Sequence, residues 1–278
     1  MLLAAAGWGV NALAAGRAYL NLGTAVVAGI HSEKYSIGQA WRTMGSCSRD
    51  SYYYETSLRS GTFLIDWFLS AWAGGNQDLE FRSRLESEAA ALPPGSGGIL
   101  AVPYWGAVMT PYWDRDARGC LAGLTGAHRP PHLYRALLEG IALEQAMVTG
   151  MIERDVGIEV REFVAIGGGA ASDLWCQIVA DACGKLVKRP RTVEASSLGA
   201  AMCAAAAVGW FPGVPAAAEA MSGAAIREIG PCPYNRARYA ELLDIYREIY
   251  PRLRQTYRKL AAYQKSVEAA SRQSNEPV

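Results

Sequence analysis

Three consecutive glycines lie between a strand pattern and a helix pattern, where they could hold a ligand. Residues 162–166 are predicted to form a buried strand, Gly167, Gly168 and Gly169 follow, and Ser172 is a favourable N-cap for the next helix. Glycine lets the backbone approach a bound molecule closely, and a helix N-terminus offers free N–H groups and positive dipole potential. The segment therefore predicts a nucleotide site.

Two other interpretations of this segment remain open when it is taken alone. One is a tight turn that only lets the strand and the helix pack. The other is a dinucleotide site, because Gly167-x-Gly169-x-x-Ser172 is one residue short of the G-x-G-x-x-G fingerprint. The next predicted strand ends at Lys188-Arg189, and an arginine there suits the 2′-phosphate of NADP. Against it, the motif lies far into the chain and does not open an alternating array.

Two further glycines occupy positions that suit phosphate or nucleoside binding. Gly23-Thr24 joins two short predicted strands, and such a hairpin presents a hydroxyl and backbone N–H groups to phosphate oxygens. Gly61 directly precedes a predicted helix. Each of these signals is weak alone, since an ordinary turn has the same composition.

The elements that must position these residues alternate along the chain. A meander of strands comes first, followed by alternating helices and strands, which predicts an α/β fold with a mixed sheet. Gly74-Gly75-Asn76 is expected to end the first long helix. Strands are expected at residues 18–22, 25–30, 52–55, 99–103, 120–124, 162–166 and 185–188, and helices at residues 62–73, 79–92, 132–154, 172–183, 195–208 and 236–267.

The composition argues against a nucleic-acid binder. The 278 residues are 51% hydrophobic and 19% charged, and their formal net charge is +1, so no concentrated basic face is expected. The one basic cluster, Lys188, Arg189 and Arg191, is too short for a DNA-binding surface and is interpreted as a solvated strand end.

The cysteines and the N-terminus favour a cytoplasmic location. None of the six cysteines forms a C-x-x-C pair, which argues against zinc, and the apolar surroundings of Cys176, Cys183 and Cys203 suit a reducing compartment. Residues 1–15 are apolar, but no Lys or Arg precedes Arg17 and several polar or glycine residues interrupt the run. Neither a signal peptide nor a membrane helix is expected.

Taken together, the motifs resemble the C-terminal domain of the FGGY carbohydrate kinases, which include xylulokinases and glycerol kinases. The strand–Gly23-Thr24–strand hairpin is similar to the family's phosphate hairpin, with Ala25 in place of the commoner serine. A P-x-W-D-x-x-A-R-G loop begins at Pro111. The segments that carry the resemblance are residues 18–25, 59–68, 111–119, 123–125, 135–142, 166–177, 180–184 and 194–201.

The resemblance implies the actin-like, ribonuclease-H-like ATPase fold, an α/β domain with a mixed sheet and flanking helices. Residues 17–270 would form this domain, residues 1–16 a remnant of an inter-domain segment, and residues 271–278 a frayed tail. ATP with Mg²⁺ would be the ligand. The resemblance assigns Gly23 and Thr24 to the phosphates, and the adenosine contacts to Gly61, Gly168, Gly169 and Ser172.

The same resemblance implies that part of the kinase lies outside this sequence. The family's general base is an aspartate in a G-x-D-x-x-A segment shortly before the hairpin, and here no Asp precedes Asp50. We therefore expect no catalytic residue in this chain, no sugar domain and little activity alone. An N-terminal half or a second copy would cover an apolar face that includes residues 1–15. A non-catalytic nucleotide-binding module and an NADP-dependent oxidoreductase remain the alternatives.

Overall fold

A mixed seven-stranded sheet forms the centre of the computed structural model, which describes residues 2–48, 50–72, 78–192 and 194–274, with side chains for residues 4–268 of these ranges. The strands are β1 (Arg17–Leu22), β2 (Val26–Ser32), β3 (Arg42–Gly45), β4 (Tyr52–Leu58), β5 (Leu100–Val102), β6 (Cys120–Ala122), β7 (Glu162–Ile166), β8 (Leu186–Pro190) and β9 (Ala225–Ile229). The helices are α1 (Leu2–Gly9), α2 (Thr62–Trp72), α3 (Leu79–Ala90), α4 (Pro130–Val156), α5 (Asp173–Cys183), α6 (Ala195–Ala207), α7 (Val214–Met221) and α8 (Pro233–Ser274).

The strand order in the large sheet is β3-β4-β2-β1-β7-β8-β9, and β5 pairs separately with β6. β1 runs antiparallel to β2 but parallel to β7, and β7 runs parallel to β8. Because parallel strands end at the same side of a sheet, the chain leaves β1, β7 and β8 at one shared edge, which we call the carboxyl edge. The predicted α/β architecture with a mixed sheet is confirmed.

Both faces of the sheet are buried, each against its own set of helices. Leu20 and Phe163 face a large core formed with α2, α3, α4, α5 and α8. Tyr19 and Val164, their neighbours along the strands, face a smaller core formed with α1, α6 and α7. Since successive side chains of a strand point to opposite faces, apolar residues at consecutive positions are what a sheet covered on both sides requires.

The N-terminal segment lies in the smaller core, which contradicts the expected exposed docking face. Helices α1 and α6 approach so closely that a Cβ on Gly199 would lie 1.8 Å from the Ala5 carbonyl oxygen, and one on Gly9 would lie 1.9 Å from that of Ala195. The buried side chains of this segment are Ala4, Ala6, Trp8, Val10 and Ala12. Its apolar composition is explained by burial within this chain.

Several elements differ from those expected from the sequence. Strand β3, strand β9 and helix α7 were not predicted, and β4 continues to Leu58. The expected helix end at residues 74–76 lies outside the described residues. The domain boundaries at residues 16/17 and 270/271 stay predictions; α8 runs to Ser274, and residues 275–278 lie outside the described ranges.

Helix α8 carries a stripe of buried residues along one face. Its buried members follow one another at spacings of seven and four residues, which keeps them on one face of the helix. They are Tyr239, Tyr246, Tyr250, Tyr257 and Ala261. The other faces are largely polar, and no helix within the described ranges is both long and apolar enough to cross a bilayer.

Two buried glutamates of α4 accept hydrogen bonds from this tyrosine stripe. Glu139 accepts from the Tyr239 hydroxyl at 2.8 Å, and Glu144 accepts from the hydroxyls of Tyr246 and, at 2.8 Å, Tyr104. Burial raises the pKa of the Glu144 carboxyl from its ordinary 4.5 to about 7, and the two tyrosine hydrogen bonds offset only part of this effect. The contact between α4 and α8 therefore depends on pH.

The free energy of unfolding of Glu144→Gln should rise relative to that of the parent chain as the pH increases. The unfolded carboxyl loses its proton near pH 4.5, whereas the folded one keeps it up to about pH 7. The parent chain therefore loses stability across this window, by about 3 kcal/mol at roughly 1.4 kcal/mol per pKa unit. Urea unfolding of parent and Glu144→Gln at about pH 4.5, 6 and 7.5 measures the difference.

Glu248→Gln is the matched control, because Glu248 is exposed on α8 and pairs with Arg252 at 2.7 Å. Its stability relative to the parent should change by less than about 0.5 kcal/mol over the same range. If the free energies of unfolding of the parent chain and Glu144→Gln changed equally with pH, this would contradict a raised pKa at Glu144.

Candidate nucleotide site

The Gly-Thr hairpin and the start of α2 are joined by backbone hydrogen bonds at the carboxyl edge. The Thr62 amide donates to the Gly23 carbonyl at 2.8 Å, and the Gly61 amide donates to the Thr24 carbonyl at 2.9 Å. A Cβ on Gly61 would lie 2.2 Å from the Gly23 oxygen, so only glycine permits this approach. Two motifs that were individually weak in the sequence thus form one unit.

The glycine loop, residues 167–171, contacts the same hairpin from the other side. Gly167 has a φ of +83°, and a Cβ there would lie 2.4 Å from the Asn21 side-chain oxygen. A Cβ on Gly169 would lie 2.3 Å from the Trp175 ring and 2.8 Å from the Leu22 carbonyl oxygen. These two glycines are required by packing, which brings the loop beside the hairpin.

Gly168 differs from its two neighbours because it faces open space. No atom lies within 4 Å of the position that its Cβ would occupy, and the residue is exposed. Gly168 borders two cavities, one towards α2 and α3 and the other towards β8 and β9. Gly167 also lines the second of these cavities and Gly169 the first, but of the three glycines only Gly168 lines both.

Ser172 is the N-cap of α5, as its sequence position predicted. Its hydroxyl accepts a hydrogen bond from the Trp175 amide at 3.0 Å and donates to the Glu86 carboxylate on α3. Since the hydroxyl proton is already donated to Glu86, Ser172 shapes the wall of the site through its position. Its assignment to the adenosine contacts stays a prediction.

The cavity towards α2 and α3, which we call the α2–α3 cavity, has a volume of about 630 Å³. Such a volume is within the usual range for small-molecule sites. Its lining combines apolar and polar residues, which suits a planar base with an attached sugar. The apolar residues are Ile65, Leu79, Tyr134, Leu138 and Trp175, and the polar ones are Thr62, Asp66, Arg82, Ser83, Glu86 and Ser172.

Two members of the basic cluster at the end of β8, Lys188 and Arg189, are not solvated as the sequence interpretation expected, whereas the third, Arg191, is exposed. Lys188 forms ion pairs with Glu162 at 2.8 Å and with Glu228 at 3.2 Å. Arg189 pairs with Asp173 at 2.6 Å, and its side chain is only 16% exposed. No local pattern in the sequence reveals these pairs, because Asp173 and Glu228 come from distant segments.

Glu86 was also missed in the sequence, where it belongs to the polar face of an amphipathic helix. Its contact with Ser172 spans 86 positions and depends on how α3 packs beside the glycine loop. The hairpin, Gly61 and the glycine loop, by contrast, were each predicted and are brought together at the carboxyl edge. The fold and this cleft define an α/β domain with a nucleotide-sized site.

Comparison with known proteins identifies the family. The profile of the FGGY family of carbohydrate kinases, C-terminal domain, matches residues 18–208, and the chain belongs to this family. A xylulose kinase of Bacillus subtilis is 33% identical over 221 residues, which are 78% of this chain and 42% of that protein. A glycerol kinase of Alkalilimnicola ehrlichii is 38% identical over 184 residues, 66% of this chain and 35% of that protein.

Solved structures show the same fold. A ligand-bound xylulose kinase of Lactobacillus acidophilus superposes with a TM-score of 0.83 at 23% identity, over 92% of this chain and 51% of that one. A xylulose kinase of Rhodospirillum rubrum superposes with a TM-score of 0.82 at 23% identity, again over 92% of this chain and 51% of that one. The predicted actin-like, ribonuclease-H-like ATPase fold is confirmed, and this chain spans about half the length of the relatives it matches.

Gly61→Ala is expected to destabilise the chain by about 1–3 kcal/mol, because the added methyl overlaps the Gly23 carbonyl and forces the hairpin away from α2. Gly168→Ala is the matched control and should change stability by less than about 0.5 kcal/mol, since its methyl meets no atom. Urea unfolding of the three chains measures both values. Equal effects of the two substitutions would contradict the close contact at Gly61.

Proposed function

We propose that this chain is the ATP-binding half of a carbohydrate kinase, which transfers the γ-phosphate of ATP to a hydroxyl of a sugar or polyol. The observation that supports this most is the convergence of the Gly-Thr hairpin, Gly61 and the glycine loop at the carboxyl edge, next to a cavity that Thr62 and Gly168 line. Adenosine occupies the α2–α3 cavity in this proposal, and the phosphates extend towards the hairpin.

The hairpin suits the phosphate end of the nucleotide. Thr24 is exposed, so its hydroxyl is available to donate to a phosphate oxygen. The backbone hydrogen bonds from Gly61 and Thr62 hold the carbonyls of the turn, which leaves the opposite side of the hairpin for the ligand. The turn is therefore held in place without a side chain that blocks the phosphates.

The loop and its surroundings suit an adenosine more than the phosphorylated nucleoside of NADP. The carboxylate of Glu86 in the α2–α3 cavity accepts hydrogen bonds from ribose hydroxyls or a base amine and repels a 2′-phosphate. The cations that an NADP site would use, Lys188 and Arg189, are held in ion pairs with Glu162, Glu228 and Asp173. Both features favour ATP.

Magnesium accompanies ATP in this proposal, bound mainly by phosphate oxygens and water as Mg²⁺ prefers. Within the described ranges, no three His, Cys, Asp or Glu side chains cluster as a metal site would require. The exposed Thr24 hydroxyl lies on the hairpin that the phosphates would contact. When bound, Mg²⁺ would neutralise the negative charge that develops during phosphoryl transfer.

We further propose that the sugar-binding residues and the general base belong to an N-terminal half that pairs with this chain in the cytoplasm. The relatives support this, since the matched region is 42% of the xylulose kinase and 35% of the glycerol kinase. The N-terminal half is the partner that supplies these residues, whereas a homodimer, the other assembly we propose, would not supply them. A non-catalytic nucleotide-binding module is the alternative, and it shares the same ATP site.

Saturating Mg-ATP should raise the unfolding temperature of the purified chain by several degrees. A ligand at roughly 100 times its dissociation constant stabilises by about 2.7 kcal/mol, at about 2–4 °C per kcal/mol for a chain of this size. Differential scanning fluorimetry with Mg-ATP, and with NADPH as the comparison ligand, measures the shift. A shift with NADPH and none with Mg-ATP would overturn the proposal.

Gly168→Leu is the matched variant for this experiment. The leucine side chain enters the open space beside Gly168 without meeting another atom at its Cβ, so the unfolding temperature without ligand should change little. Bound adenosine would collide with it, and the shift with Mg-ATP should disappear. An unchanged shift would place the nucleotide elsewhere.

The chain alone should release ADP from Mg-ATP at the same rate with and without xylulose or glycerol. Loss of a general base costs about 10²–10⁴-fold in rate, and loss of substrate positioning costs more. A coupled ADP assay measures the rate. Activity restored by an added N-terminal half would support the kinase, whereas robust sugar-dependent release by the chain alone would contradict this division of roles.

A further inference from the structure

Arg189, at the end of β8, reaches across to the glycine loop. One terminal nitrogen of its guanidinium, Nη1, donates to the carbonyl oxygens of Ala170 and Ala171, at 3.1 Å each. The other, Nη2, donates to the Asp173 carboxylate at 2.6 Å. A single side chain thus holds both the end of the loop and the first residue of α5.

Few other contacts hold the loop on this side, and one of them is the Cys176 thiol of α5, which donates to the Ala170 carbonyl at 3.5 Å. Within the loop, the Ala170 amide donates to the Gly167 carbonyl at 3.0 Å and the Ser172 amide donates to the Gly169 carbonyl at 3.1 Å. These bonds close two short turns but do not tie the loop to the sheet. The contacts of Arg189 do so, because β8 is hydrogen-bonded to β7 in the large sheet.

The electrostatics of the contact favour a fixed arginine. Asp173 lies in the first turn of α5, where a carboxylate is stabilised by the helix dipole. Its second oxygen pairs with Arg227 of β9 at 2.6 Å. Arg189 is the more buried of the two arginines, at 16% exposed against 51% for Arg227, so its pair with Asp173 is less screened by solvent.

We infer that Arg189 is a positioning residue that holds the glycine loop in the conformation that binds the nucleotide. This inference rests on the ATP site proposed above. Arg189 acts through the backbone of Ala170 and Ala171 and does not contact the nucleotide. The planar guanidinium serves two carbonyls and a carboxylate together, which the single ammonium of a lysine cannot reproduce.

Arg189 and Arg227 form a matched pair for the test. Both arginines bind Asp173, and of the two, Arg189 alone also binds the carbonyls of the glycine loop. Arg189→Met should weaken Mg-ATP binding by about tenfold or more, whereas Arg227→Met should change it by less than about threefold. Arg189→Lys should give an intermediate value, and it serves as the second variant if the methionine variant fails to fold. Isothermal titration calorimetry gives the dissociation constants.

A second readout does not depend on ligand. Hydrogen exchange of the amides at residues 168–172 should become about tenfold faster in Arg189→Met or Arg189→Lys, and should remain unchanged in Arg227→Met. Equal exchange and equal affinity in the Arg189 and Arg227 variants would overturn the inference. If the parent chain binds no Mg-ATP, the ATP site fails as proposed. In that case, unchanged hydrogen exchange at residues 168–172 in the Arg189 variants would overturn the positioning role as well. Faster exchange there would still show that Arg189 holds the loop.

Discussion

Parallel hydrogen bonding between β1 and β7 is the constraint on which the site depends. The register pairs Arg17 with Glu162 and Asn21 with Ile166, so both strands end at the same level of the sheet. Two segments about half the chain apart, the Gly-Thr hairpin and the glycine loop, therefore leave the sheet side by side. A slip of one residue would exchange the two faces of β1, moving Tyr19 into the core that Leu20 occupies. Burial on both faces thus protects the geometry of the site.

Close backbone contacts then fix the positions of the hairpin, the start of α2 and the glycine loop relative to one another. Gly61 touches the carbonyl of Gly23, Gly169 touches that of Leu22, and Gly167 packs on Asn21. Each position lacks room for a side chain, so these glycines are needed whether or not a ligand is bound. Of the three glycines in the loop, Gly168 alone has no such contact.

Polar contacts from more distant elements hold the surroundings of the cleft. Glu86 of α3 accepts from the N-cap hydroxyl of α5, and Arg189 of β8 holds the loop on its other side. Farther away, the buried glutamates of α4 fix α8 through its tyrosines. Buried or half-buried ion pairs and hydrogen bonds of this kind require well-defined partners, because an unpaired charge would be costly. The cleft is thus held on two sides by Glu86 and Arg189, side chains that the motifs do not include.

The sequence by itself determined the strands and helices with strong patterns, the family resemblance and the glycine motifs, because period, capping and turn chemistry are local properties. It did not reveal β3 and β9, short edge strands whose pairing depends on their neighbours. It also suggested an exposed apolar N-terminus, since composition cannot tell a surface between proteins from a surface between α1 and α6. The partners of Lys188, Arg189 and Glu86 were likewise decided only by tertiary structure, because ion pairs and hydrogen bonds between distant segments leave no periodic signal in the chain.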